Sequence, residues 1–218
     1  MASGYFAGEI APVLIPQRKK DSIKFEKDEF IRPETTMDTL ASLRPAFKKD
    51  GSVTAGNASG LNDGAAALLL ASGEAVAIQN FKPLARIVSS AVAGVEPRIM
   101  GIGPVGATQK ALRKAGLTLD QIDIIEFNEA FAAQCLAVTR NLGIADDDPR
   151  VNPNGGAIAL GHPLGATGAI LMTKLIYELR RIGGRFGAVT MCIGGGQGIA
   201  MVIENASWSG QSGTGKSR

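Results

Sequence analysis

Apolar and polar positions divide the chain near residue 60. Before that point charges cluster, as in Arg18-Lys19-Lys20-Asp21 and Glu26-Lys27-Asp28-Glu29. Prolines at 12, 16, 33 and 45 interrupt them, and no apolar period survives. Such a stretch predicts an extended, loop-rich region. From Asp63 the pattern changes. Residues 64–71 form a continuous apolar run of strand length, residues 74–79 read as a short helix, and residues 85–92 as a second strand. Residues 105–115 predict a helix with Gly116 where a left-handed cap is wanted. Residues 122–127 predict a strand, apolar on both sides of Asp123. Phe131, Cys135, Val138 and Leu142 recur at helical spacing and mark one buried stripe. Leu171, Leu175, Leu179 and Ile182 repeat that pattern in a longer helix closed by Gly183-Gly184. Residues 186–191 and 198–204 read as two last strands, joined by Cys192-Ile-Gly-Gly-Gly-Gln197. Strands alternating with helices and ending in a hairpin predict an α/β layered domain with a mixed sheet. Residues 207–218, rich in Ser and Gly, are expected to form a mobile tail.

Composition narrows the class. Of 218 residues, 45% are hydrophobic and 20% charged, which suits a folded core rather than disorder. The net charge is +3, and Lys216 and Arg218 supply two of the positives, so the body of the chain is nearly neutral. With aromatics at 5%, there is neither a basic stripe nor a base-stacking surface, and nucleic acid is not expected as a partner. Two cysteines in unlike surroundings make no disulfide framework, so a reducing, cytoplasmic compartment is the expectation. One histidine and no Cys-x-x-Cys argue against a structural zinc site, and no metal is expected. The longest purely apolar run, 65–71, is far shorter than the ~18 residues of a membrane span. No membrane partner is expected.

Glycine, at 28 residues, is roughly twice its usual share of about 7% and is clustered, which points to tight functional loops. Gly101-Ile-Gly-Pro-Val-Gly106 fits a dinucleotide-binding pattern, but residues 96–100 separate it from the preceding strand, and Pro104 suits a helix entry. Residues 210–217 match a phosphate-loop pattern letter for letter, yet no helix follows to hold a phosphate. Cys192 heads a run of glycines whose backbone N–H groups could hold a thiolate or an oxyanion; a small buried hydrophobe is the plainer reading. His162, between Gly161 and Pro163, is held out of helical geometry and is a candidate acid or base. Asn128 follows a strand, where α/β sheets present ligand-binding groups, or else it caps the next helix.

Taken together, Asn128-Glu-Ala-Phe-Ala, Asn152-Pro-Asn-Gly-Gly-Ala-Ile-Ala-Leu-Gly-His-Pro163 and Cys192-Ile-Gly-Gly-Gly-Gln-Gly198 resemble the thiolase family in order and spacing. Residues 54–66 resemble its acetoacetyl-CoA, biosynthetic-type branch, and the likeness covers residues 1 to about 205. The resemblance implies a thiolase-like layered α/β fold. It also implies an acyl transfer that interconverts two acetyl-CoA molecules with acetoacetyl-CoA and CoA, or cleaves another 3-oxoacyl-CoA. CoA thioesters would be substrates, and no cofactor would be permanently bound.

By resemblance His162 activates a nucleophilic thiol and helps hold the thioester oxygen, and Asn128 fixes a water at that oxyanion site. Cys192 removes the α-proton of acetyl-CoA, and Gly194 offers an N–H to the acyl-enzyme oxyanion. Neighbouring N–H dipoles are expected to lower the Cys192 thiol for that task. Phe47 and Ser59 match the pantetheine tunnel, and Arg18 matches its adenine end. The implied division is 1–60 for the end of a CoA-binding loop region and 61–80 for the last strand and helix of an N-terminal domain. Residues 81–206 would be the C-terminal domain and 207–218 the tail. The family's nucleophilic cysteine matches neither Cys135 nor Cys192, so this chain alone is expected to be inactive. A homo-oligomer, or a complementing N-terminal half, is the partner expected.

Overall fold

A computed structural model describes residues 3–208 and divides at Glu34/Thr35 into two compact units. The first unit holds a single 3₁₀ turn at Tyr5–Gly8 and a two-stranded antiparallel ribbon, β1 (Val13–Ile15) and β2 (Ile23–Phe25). Both strands are exposed throughout, so the ribbon adds little core to a segment that sequence reads as loop-rich.

The second unit begins with α1 (Met37–Ala41), opened by a Thr36/Thr39 capping box, and α2 (Gly73–Gln79), capped by Ser72. The expected strand at 64–71 does not form. Those residues have no regular structure, and Leu69 and Leu70 are 85% and 69% exposed. An isolated strand has no ladder for its N–H and C=O groups, and no partner strand for it lies among the described residues.

The layered core follows in the expected alternation: β3 (Ala85–Gly94), α3 (Gly103–Ala115), β4 (Ile124–Phe127), α4 (Ala132–Leu142), α5 (Ala157–Leu160), α6 (Thr167–Ile182), β5 (Phe186–Ile193) and β6 (Gln197–Asn205). The sheet runs β3-β6-β5-β4, antiparallel except for the parallel β4/β5 pair, so it is mixed as the pattern predicts. Alternation along the strands builds two apolar layers. Ala91, Ile125, Ala188, Ala200 and Val202 face Ala107, Ala111 and Leu112 of α3, while Ile124, Val189 and Ile203 face Leu171, Leu175 and Leu179 of α6. Gly116, Gly143 and Gly183 end α3, α4 and α6 in the left-handed conformation. Among the described residues no helix is long and apolar enough to cross a membrane.

Several boundaries move: β3 runs on to Gly94, α3 starts at Gly103, β5 takes in Cys192 and Ile193, and β6 spans Gln197–Asn205. The strand expected from 122 starts at Ile124, because a 3₁₀ turn at Leu119–Gln121 precedes it. Phe131 precedes α4 as its N-cap instead of lying on the helix, and Val138 is the fully buried member of the expected stripe. The glycines at 101–106 open α3, as the helix-entry reading requires. A 3₁₀ turn at Pro97–Ile102 separates them from β3, and a Cβ on Gly103 would sit 2.5 Å from the Gln197 carbonyl. Gly103 is small so that α3 can begin against the β5–β6 hairpin, while Gly101, inside that turn, packs on Gln134 and Gly106 on Ala93. The phosphate-loop pattern at 210–217 lies outside the described residues.

Candidate active site

β4 is buried at all four positions and runs straight into Asn128, whose backbone N–H donates to the Thr190 carbonyl of β5 at 3.2 Å. That bond extends the parallel ladder and fixes Asn128 at the carboxyl end of the strand. Phe131 takes the helix-cap position, so the Asn128 side chain is not a cap. Its Nδ2 instead lies 3.4 Å from Nε2 of His162, and its buried Oδ1 has no hydrogen-bond partner among the described residues.

His162 is held from three directions. Its backbone N–H donates to Oδ1 of Asn62 at 3.0 Å, and Leu61 pairs with it as a parallel bridge. Its Nδ1 lies 2.7 Å from the hydroxyl of Thr167, the first residue of α6. Gly161 has φ +96°, and a Cβ there would come within 2.6 Å of the Asn62 amide, so only glycine lets Asn62 reach the histidine backbone. Residues 57–62 thus staple the two motifs together. Asn57 O accepts from Ala132 N at 2.8 Å, and Ser59 N donates to Ala130 O at 3.0 Å.

Glu129 clamps the same loop from the other side. Its carboxylate accepts from Nδ2 of Asn152 at 2.7 Å and from the Ile158 N–H at 3.1 Å. Asn152 also exchanges two bonds with the Phe127 backbone and adopts φ +44°, a left-handed conformation asparagine tolerates. Below them, Glu126 of β4 is fully buried and pairs with Lys174 of α6 at 2.9 Å, and Lys174 also donates to the Gly155 carbonyl at 2.6 Å. Burial pushes the Glu126 carboxyl above its ordinary value, and the Lys174 ammonium opposes that shift.

Cys192 is the second-last residue of β5, two positions past Thr190, and Gly194-Gly195-Gly196 turn the chain into β6. Gly195 and Gly196 have φ +87° and +93°, and a Cβ on Gly196 would come 2.3 Å from the Val95 carbonyl. Gly194 differs: it is exposed, its φ is not left-handed, and a Cβ there would meet open space. Neither packing nor a left-handed backbone therefore demands glycine at 194. The expected lowering of the Cys192 thiol is not found. Burial raises it, and the backbone hydrogen bond that favours the thiolate is the smaller effect. Cys192 rests as a neutral thiol.

Phe47 is exposed and stacks edge-on against Phe131 at 5.8 Å, and Ser59 is half-buried against Ala130. Both stand beside the Asn128 motif. Arg18 lies in the exposed link between β1 and β2 of the first unit. An open cleft of about 640 Å³ runs past Glu129, Cys135, Thr139, Asp146, Asp148 and Asn152. Burial, the charge of Glu129 and nearby Cys192 push the Cys135 thiol far up, which leaves it unreactive.

Burial also lowers the His162 pKa. Because the folded chain binds that proton less readily than the unfolded chain, this group's stabilising effect is present above the ordinary value of about 6.5 and is lost as pH falls through the depressed folded value. His162 is the chain's single histidine, so its ring protons give one assignable NMR titration. Its midpoint is expected below 6.5.

Sequence reasoning missed Thr167, Glu129, Asn62 and the Glu126–Lys174 pair. Glu129 lay inside the 128–132 motif and Asn62 inside the 54–66 segment, while Thr167 lies four residues past the Pro163 that ends the histidine motif.

The mixed sheet between helices thus carries the Asn128–His162 pair at the end of β4 and the Cys192 thiol, followed by glycines, at the end of β5. Residues 81–205 match the thiolase C-terminal domain model and residues 1–74 the thiolase N-terminal domain model. The chain belongs to the thiolase family. It is 60% identical over 203 residues to a β-ketoadipyl-CoA thiolase of Acinetobacter baylyi, covering 93% of this chain and 51% of that relative. It is 56% identical over 203 residues to a 3-oxoadipyl-CoA/3-oxo-5,6-dehydrosuberyl-CoA thiolase of Escherichia coli, with the same coverage of 93% and 51%. The crystal structure of a Bacillus anthracis acetyl-CoA acetyltransferase matches with a TM-score of 0.86 at 51% identity, over 94% of this chain and 51% of that one. The chain therefore spans about half the length of the relatives it matches.

Proposed function

We propose that this chain carries the acid–base half of a thiolase site and cleaves a 3-oxoacyl-CoA with CoA, or forms one from two acyl-CoA molecules, when a nucleophilic cysteine is supplied from outside these 218 residues. The observation that carries the reading is the Asn128–His162 pair, fixed at a strand end by three separate segments. Neither thiol of this chain suits the nucleophile's part, since burial, with the Glu129 charge beside it, holds Cys135 protonated and Cys192 is assigned the second step.

In the proposed cycle, Nε2 of His162 takes the proton of the incoming thiol, which attacks the acyl carbonyl and expels CoA. Asn128 supports the thioester oxygen through a water, for which its unpartnered Oδ1 offers an acceptor. Cys192 gives its proton to the departing CoA sulfur and, now a thiolate, removes the α-proton of the second acyl-CoA. The carbanion attacks the acyl-enzyme carbonyl, whose oxygen the Gly194 N–H holds, and the expelled cysteine thiolate regains its proton from His162. The resting thiol of Cys192 suits the reverse direction, where it donates that proton. Ser59 and Phe47 line the pantetheine arm.

The names borne by the relatives make 3-oxoadipyl-CoA the first substrate to try and acetoacetyl-CoA the second. We place the protein in the cytoplasm, as its two unpaired thiols suit a reducing compartment. The test is thiolysis of both substrates by this chain mixed with the N-terminal half of a relative.

A further inference from the structure

We infer that Thr167 is a positioning residue that selects the tautomer of His162 and so makes its Nε2 a base. The inference rests on the proposed acyl-transfer role of His162, but its geometry stands without it. The Thr167 hydroxyl lies 2.7 Å from Nδ1 of His162 and 3.0 Å from the Pro163 carbonyl oxygen. A hydroxyl has one proton, and a carbonyl can only accept. The Thr167 proton therefore goes to Pro163 O, and the hydroxyl's lone pair faces Nδ1. That leaves Nδ1 as the protonated nitrogen and Nε2 with its lone pair, toward which Asn128 Nδ2 donates across a long 3.4 Å.

The arrangement is built into the fold rather than into rotamer choice. Thr167 is buried at 3% exposure at the start of α6, where its own N–H also bonds to Pro163 O at 2.9 Å. Pro163 in turn follows the histidine directly. Helix start, proline carbonyl and imidazole are thus one ring of contacts within six residues. When Nε2 takes the thiol proton, the imidazolium keeps its Nδ1–H on the Thr167 oxygen, so no other proton has to move. The weak Asn128 bond is the only contact displaced.

The test uses the 218-residue chain, in which His162 gives the sole imidazole signals. Long-range ¹H–¹⁵N correlation above the histidine pKa distinguishes the protonated nitrogen from the unprotonated one. The unprotonated shift is expected at Nε2 in the wild type and in Thr167→Ser, and is expected to move to Nδ1 in Thr167→Val. A purely structural threonine would leave the tautomer unchanged on loss of the hydroxyl. A wild-type chain with Nε2 protonated overturns the inference, whether or not the valine variant folds. So does a folded Thr167→Val chain that keeps the wild-type pattern. Because this readout needs no turnover, the expected tautomer in a chain that fails to support thiolysis would overturn the proposed function alone.

Discussion

Alanine at His162 or at Cys192 is expected to abolish measurable thiolysis by the reconstituted pair, a loss of about 10²–10⁴-fold for each proton-transfer group removed. The two losses should not multiply, since each residue serves a step the other cannot bypass. The variants separate by step. His162→Ala should prevent acylation of the supplied cysteine, leaving no acyl-enzyme detectable by mass spectrometry with acetyl-CoA. Cys192→Ala should still acylate and then stall, because the group that handles the α-proton is gone. Neither substitution removes a fold determinant of the sheet: His162 lies on a loop and Cys192 at the end of β5. Unchanged circular dichroism with lost turnover is the expected combination. Full acylation in His162→Ala would contradict the base role.

Lys174→Met is expected to destabilise the fold by about 3 kcal/mol at neutral pH, since it strips the counter-charge from a fully buried carboxylate. For a domain of this size that corresponds to a melting temperature lower by roughly 6–12 °C. The pH dependence carries a sign. The Glu126 carboxyl already sits above its unfolded value through burial, and losing Lys174 raises it further. A folded state that holds the proton more tightly than the unfolded one loses stability as pH rises from the unfolded value toward the folded one. The deficit of Lys174→Met should therefore shrink on acidification and widen toward neutral pH. Glu126→Gln in the same chain should recover a large part of it by removing the charge. A deficit independent of pH would mean that lost packing, rather than the stranded charge, is responsible. Because Lys174 also binds the Gly155 carbonyl, the loop carrying His162 should loosen too.

What could be read from sequence was what local periodicity controls. The stripe Leu171, Leu175, Leu179 became the buried face of α6, and the apolar run ending at Phe127 became β4 with Asn128 at its end. His162, Asn128 and the glycines after Cys192 stood out because each broke the pattern around it. Residues 64–71 failed the same reasoning: an apolar run has strand propensity, but a strand also needs a neighbour, which propensity does not supply. Glu126 and Lys174 were invisible for a related reason. Each matters through a partner 48 residues away, and one residue of such a pair carries no local mark. The 54–66 resemblance covered Asn62 but could not give its partner 100 residues on. The Cys192 thiol was misjudged in sign because glycine N–H groups are visible in sequence and desolvation is not.

The central claim is that this chain contributes the histidine, asparagine and second cysteine of a thiolase site and needs a nucleophile from elsewhere. The most direct measurement follows loss of the 3-oxoacyl-CoA enolate absorbance on adding CoA, for the 218-residue chain alone, mixed with the N-terminal half of the Acinetobacter relative, and mixed as His162→Ala. The account predicts no turnover alone, turnover in the mixture, and none in the mixture carrying the variant. Turnover by the chain alone, or a mixture equally active with His162→Ala, would contradict it.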